Sequence, residues 1–352
     1  MEIITQKVSD SRINQVDPLD IKFGKIYSDH MLVADYQNEQ WSKAEIVPYE
    51  DLVLSPATTC LHYGQAIFEG IKAYKTPSGE VKIFRPYENW KRFNLSAQRM
   101  GMPDVPENIF MDGMKQLIAL DRDWVPSSEG CSLYIRPFMI ATDAFIGVKP
   151  AEEFKFIIIS SPAGAYYAQP IKIFVHDKYT RACAGGVGEA KAAGNYGATM
   201  MPMMEVRKMG YDQILWTDAV HHKYVQEIGT MNVFFVLGDT VVTPDLKGGT
   251  ILAGVTRASM IEILKEKGIK IEERPISIDE ISAAYDAGQL NECFGAGTAA
   301  VVAPIAELHY EGKDMKVNTP KENSITDMLK KELADIRYGR IDDKHNWMYK
   351  VC

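Results

Sequence analysis

The stretch "SSPAGAYYAQP", residues 160–170, decides how this chain divides. Its prolines, glycine, alanines and paired tyrosines show neither helical nor strand periodicity, which predicts a connection between two units. On its N-terminal side, "CSLYIRPFMIA" (131–141) and "EFKFIIIS" (153–160) are short apolar runs rich in β-branched and aromatic residues, hence strands. Further out, "EVKIFRPY" (80–87) reads as a strand entering a turn at Pro86. "ENWKRFNLSAQRMG" (88–101) then has helical spacing, with Trp90, Phe93, Leu95 and Met100 as its apolar side and Gly101 as its stop. On the C-terminal side, "IKIFVHD", "QILWTD", "YVQEIG" and "NVFFVLG" read as successive strands. "TRASMIEILKEKG" is an amphipathic helix stopped by Gly268, and "SIDE" (277–280) is a capping box opening a helix that ends at Gly288.

The fold class expected is therefore mixed α/β (α+β) in two domains. Residues 1–163 form an N-terminal α/β domain, 164–173 the linker and 174–352 the C-terminal domain. Regular β-α-β alternation is missing, which argues against a doubly wound parallel sheet. A chain of 352 residues with 46% hydrophobic and 24% charged side chains has the composition of a globular protein with a sizeable core. Its 39 basic against 47 acidic residues give a net charge of −8, which argues against nucleic acid as a partner. Neither a bilayer-spanning apolar run nor a secretory pattern in "MEIITQKVSDSRINQ" is present, so no membrane association and a cytoplasmic location are expected. The five cysteines are scattered without a C-x-x-C pair, and His221-His222 would point to opposite faces of a strand, so no metal site is expected.

The chemistry centres on "GGVGEAKAAGNYGATM" (185–200), where five glycines and four alanines surround Lys191. Small neighbours leave room for a flat ligand, and a desolvated lysine has a lowered pKa and acts as an amine nucleophile. Those conditions suit pyridoxal phosphate, which also needs a phosphate cradle, a hydroxyl near its phenolic oxygen and a carboxylate at its ring nitrogen. "LAGVTRASM" (252–260) offers a helix start at Val255 and Thr256 for the phosphate. Tyr196 offers the hydroxyl, and Glu227 is a lone acid in an apolar strand pattern, which a cationic ring nitrogen would explain.

Taken together, "LHYGQAIFEGIKAY", "FRPYENWKRF", "LYIRPF", "KAAGNYGATM", "EIGTMNVFF", "LAGVTRASM" and "FGAGTAAVV" resemble the branched-chain amino-acid aminotransferases of the fold-type-IV pyridoxal-phosphate enzymes. The likeness runs in order from about residue 20 to the C-terminus. It implies a smaller N-terminal domain and a larger C-terminal domain with a barrel-like core that carries the lysine. Lys191 matches the lysine that holds pyridoxal 5'-phosphate covalently and shuttles the proton. Tyr196 matches the partner of the phenolic oxygen, Glu227 that of the ring nitrogen, and Arg92 the phosphate-binding arginine. Val255, Thr256 and Thr298 match the remaining phosphate donors, with Thr230 also on the cofactor side. The resemblance puts Thr298 and Ala299 at the substrate α-carboxylate and Tyr63, Phe68, Tyr134 and Tyr166 around its side chain. Arg136 would meet the distal carboxylate of glutamate.

The same resemblance implies reversible transfer of an α-amino group from L-leucine, L-isoleucine or L-valine to 2-oxoglutarate by a ping-pong route, in a homodimer. Ile146 and Val148 of "DAFIGVKP" would complete the partner's pocket. Ala300 and Ala303 stand where mammalian relatives carry a C-x-x-C redox pair, so no thiol switch is expected there. D-amino-acid aminotransferases and aminodeoxychorismate lyases share the cofactor residues and are the alternative within the fold type. A silent phosphate-ligand binding protein is the alternative outside it.

Overall fold

The computed structural model describes residues 3–17, 21, 23–164, 169–317, 322 and 324–352, which leaves Tyr166 outside the described residues. The chain forms two compact units. The first comprises Met1–Tyr166, Ala190–Ala193 and Ala334–Cys352, and the second Tyr167–Glu189 and Gly194–Leu333. This grouping departs from the linear division expected above. The segment carrying Lys191 and the C-terminal residues both belong to the first unit, which thus holds more of the chain than the second. Main-chain pairing is the cause. Ile67 bridges Ala192, and the strand Met348–Lys350 pairs antiparallel with Val81–Phe84.

In the first unit, the described residues build a 10-stranded sheet that is almost wholly antiparallel. Its longest ladder joins Ser132–Ala141 to Phe154–Ala163, with Ser132 opposite Ala163. Residues 160–163, expected in the connection, thus continue a strand, because a partner of matching length satisfies their peptide groups. One side of the sheet is sealed by Phe93, Phe110 and Phe156, whose ring centroids lie 5.5–5.7 Å apart.

The helix Pro86–Arg99 begins with its proline at the first turn, where a missing N–H costs nothing. Its buried face is Asn89, Arg92, Phe93, Ser96 and Ala97, while Leu95 is 64% exposed. Leu95 was expected inside; the buried stripe contains three polar residues that an apolar count passes over.

The second unit carries a 9-stranded mixed sheet among its described residues. Ile171–Val175 pairs in parallel with both Gln213–Thr217 and Val301–Tyr310, whereas Asn232–Leu237 and Leu290–Gly297 are antiparallel. The four predicted strands and the helices Val255–Glu266 and Ile278–Asp286 are present. Gly268 and Gly288, just past the two helices, have φ of +68° and +67°. The capping box is half made: Ser277 Oγ accepts from Glu280 N at 3.1 Å, but the Glu280 carboxylate turns to Arg274 at 2.6 Å. His221 and His222 lie on a turn, not a strand, where the Asp218 carboxylate accepts the N–H groups of Val220, His221, Lys223 and Tyr224. No helix among the described residues is long and apolar enough to cross a membrane.

A buried polar pair fixes one edge of the first unit. Val8 N donates to His30 Nε2 at 3.1 Å, so His30 Nδ1 carries the hydrogen it gives to Asp121 Oδ1 at 2.6 Å. Asp121 Oδ2 also accepts His30 N at 3.1 Å. Asp121→Ala leaves two buried donors unmet and is expected to lower unfolding stability by about 1–3 kcal/mol, measured by urea denaturation.

Candidate active site

In the first unit, Lys191 is placed through its backbone. Its carbonyl accepts Phe68 N at 3.1 Å and its N–H donates to Ser96 Oγ at 2.9 Å. The side chain is left to reach over Phe68, with Nζ 4.8 Å from the ring centroid. Arg92, one helical turn before Ser96, donates to Glu69 twice, Nε to Oε1 at 2.7 Å and Nη2 to Oε2 at 2.9 Å.

Arg136 also lies over the Phe68 ring, at 4.6 Å, and over Tyr134 at 5.2 Å. Its Nη2 donates to the Tyr134 hydroxyl at 2.9 Å, and its buried Nε has no hydrogen-bond partner among the described residues. Tyr134 and Arg136 are two residues apart on one strand, hence on one face of the sheet. Directly opposite stand Ser161 and Ile159. These four, with Phe23, Tyr27 and Ser160, line a cavity of about 120 Å³.

The Phe23 ring meets Tyr134 edge-on at 4.9 Å. Phe23 and Tyr27 were missed from the sequence because they sit in a stretch with no periodicity, outside every motif. Tyr63 does not line this cavity; it is 43% exposed, and its hydroxyl donates to Ile146 O at 2.6 Å. Gly70 faces the Tyr134 hydroxyl so closely that a Cβ there would collide with it.

In the second unit, Glu227 is buried on the strand Val225–Ile228 but is not the lone acid expected. Leu252 N donates to its Oε1 at 2.9 Å, and Arg181 Nε lies 3.1 Å from Oε2. The Arg181 guanidinium also donates to the carbonyls of Thr250 and Gly188. Burial without compensation is costly, and here a buried arginine supplies the compensation. Arg181 sits among alanines and a cysteine, with no local pattern to announce it.

Asn232 Nδ2 donates to Leu252 O at 2.9 Å, steadying the turn that leads to Gly254 and the helix Val255–Glu266. That helix has Gly254 at its N-cap and no side-chain cap, so its first N–H groups are not consumed by a capping side chain. Val255 and Thr256 are buried at this end. Tyr196 lies on the short helix Ala193–Gly197, and Thr298 and Ala299 lie in the turn after Leu290–Gly297. Thr230 is exposed, in the turn after Glu227.

Residues 66–308 match the family model described as amino-transferase class IV. The chain belongs to the class IV aminotransferases. It is 47% identical over 340 residues to a probable branched-chain-amino-acid aminotransferase of Staphylococcus epidermidis, covering 95% of this chain and 94% of that one. Its fold is similar to the branched-chain amino acid aminotransferase of Escherichia coli, with a TM-score of 0.77, 26% identity and coverage of 92% and 99%. The pyridoxal-phosphate form of the Thermobaculum terrenum enzyme gives a TM-score of 0.75 at 26% identity, with coverage of 92% and 98%.

As a class IV aminotransferase the chain depends on pyridoxal phosphate. The residues present fit that group. The first unit offers an amine and a guanidinium, and the second offers a buried carboxylate and a helix start with no side-chain cap. Gly254→Ala brings a Cβ into collision with Asn232 Oδ1, so the turn must shift. That variant is expected to need about 10-fold more cofactor for half-saturation, a loss of roughly 1.4 kcal/mol, measured by titrating the apoprotein.

Proposed function

We propose that this chain is a branched-chain amino-acid aminotransferase, moving the α-amino group between L-leucine, L-isoleucine or L-valine and 2-oxoglutarate in two successive half-reactions. The observation that carries the reading is Arg136. Among the described residues its contacts are a tyrosine hydroxyl and two aromatic faces, with no carboxylate partner. A guanidinium with donor capacity left over, beside an apolar cavity, suits a pocket that takes both an aliphatic side chain and the distal carboxylate of glutamate. The names of the relatives at close to half identity support the branched-chain amino acids as substrates.

When bound, pyridoxal phosphate supplies the electron sink that makes the substrate α-hydrogen acidic. Lys191 Nζ would hold the cofactor and would take the proton from the substrate α-carbon. Glu227, steadied by Arg181 and Leu252, accepts the N–H of the ring nitrogen, and Tyr196 bonds the phenolic oxygen. Arg92, the Val255 and Thr256 end of the helix and Thr298 hold the phosphate, with Thr230 on the same side. Thr298 and Ala299 receive the α-carboxylate. Phe68, Tyr134 and Arg136 receive the side chain, together with Phe23. Ile146 and Val148 are 66% and 87% exposed, which suits apolar loop residues covered by a second copy of the chain in a homodimer.

Lys191→Ala is expected to abolish the visible absorbance of the lysine-bound cofactor and to cut turnover by at least about 10²–10⁴-fold, as for loss of a general base. Absorbance spectra and a coupled glutamate assay check this, and normal turnover would sink the mechanism. Arg136→Met is expected to raise KM for glutamate and 2-oxoglutarate by about 10-fold or more, with a much smaller effect on leucine, because a charged hydrogen bond is worth about 1.5–3 kcal/mol. Equal losses for both substrate types would make Arg136 structural. An L- and D-amino-acid panel with 2-oxoglutarate as acceptor tests the substrate class as a whole.

A further inference from the structure

The motif "FEGIKAY" contains an acid, Glu69, to which neither the sequence pattern nor the mechanism above gives a role. Its side chain is fully buried, and both carboxylate oxygens are engaged. Oε1 accepts Arg92 Nε at 2.7 Å; Oε2 accepts Arg92 Nη2 at 2.9 Å, Asn89 Nδ2 at 2.8 Å and Gly70 N at 3.0 Å. Asn89, Arg92 and Ser96 share the buried face of one helix, and Ser96 is the residue that accepts the N–H of Lys191. Phe68, the residue before Glu69, donates to the Lys191 carbonyl.

Burial would push the Glu69 carboxyl up. The Arg92 charge and hydrogen bonds, the Lys191 charge and the Asn89 amide outweigh it and hold the pKa below the ordinary carboxylate range. The carboxylate is thus an ionised group with one cation in direct contact and a second within its field. The other charged group nearby, Arg136, lies over the adjacent Phe68 ring.

We propose that Glu69 is a positioning residue for Arg92, fixing the plane of its guanidinium. This rests on the phosphate-binding role of Arg92 proposed above. A four-donor cradle around one carboxylate leaves it a single orientation, and the bidentate grip transmits that orientation to Arg92. Arg92 is thereby held in one plane, so a phosphate meets a preorganised partner instead of a swinging side chain.

The test is Glu69→Gln in the holoenzyme, with Glu69→Asp as the conservative variant and circular dichroism melts to confirm folding. The quantity read is the concentration that half-saturates the apoprotein, for pyridoxal phosphate and for pyridoxal, which lacks the phosphate. Glu69→Gln is expected to raise the half-saturating concentration of pyridoxal phosphate by about 10-fold, since the glutamine amide turns a donor toward Arg92, and to leave that of pyridoxal unchanged.

A folded Glu69→Gln that binds pyridoxal phosphate as the wild type does, or that weakens both compounds equally, overturns the proposal. If that variant does not fold, Glu69→Asp decides. It keeps the charge and shortens the reach, so weakened half-saturation by pyridoxal phosphate alone supports the proposal, and no change overturns it. A wild-type protein that binds pyridoxal as tightly as pyridoxal phosphate would overturn the phosphate role of Arg92 itself and this one with it.

Discussion

A lysine surrounded by glycine and alanine has almost no side-chain packing to locate it, so its place must be set by peptide groups. Here two hydrogen bonds do this: Phe68 N to the Lys191 carbonyl, and the Lys191 N–H to Ser96 Oγ. The first extends the short strand Ala66–Phe68 by a bridge, and the second ties the same residue to the helix Pro86–Arg99. With the backbone fixed at both its donor and its acceptor, any motion is confined to the four-carbon side chain. That is the division a residue needs if it is to be an anchor at one moment and a base at the next.

The rest of the first unit follows from this clamp. The helix must present serine, arginine and asparagine on its inner face, which is why its buried stripe is polar and Leu95 is turned outward. The buried arginine then requires an acid, and Glu69 is the residue that meets it. The second unit solves the same problem with the signs reversed. There the buried group is an acid, Glu227, and Arg181 compensates it while bonding the carbonyls of Thr250 and Gly188.

Much of this was legible in the chain itself. Strands with long partners and helices with glycine stops are local, periodic signals, and they appeared where the pattern placed them, with ends shifted by up to three residues. The residues matched to the class IV family motif stood out because their order along the chain is specific. What could not be read were the compensating groups. Arg181 and Phe23 lie in stretches without period, and their importance depends on which distant segment folds onto them. Glu69 lay inside a motif but had no visible partner, because Arg92 is more than twenty residues away. The compact units depart from the linear division for the same reason: a bridge at Ala192 and a strand at Met348–Lys350 are long-range pairings with no local mark.

That terminal strand bears on how the protein is made. The first unit contains the earliest residues of the chain and also the last ones, Ala334–Cys352. During synthesis its sheet is left with Val81–Phe84 as an open edge, and it lacks the Lys191 segment until well past mid-chain. The sheet of the second unit, drawn entirely from the later stretch, is complete before the final strand emerges from the ribosome. The unit begun first is therefore completed after the second, and loss of Met348–Lys350 leaves the N-terminal sheet, not the C-terminal one, exposed to mispairing.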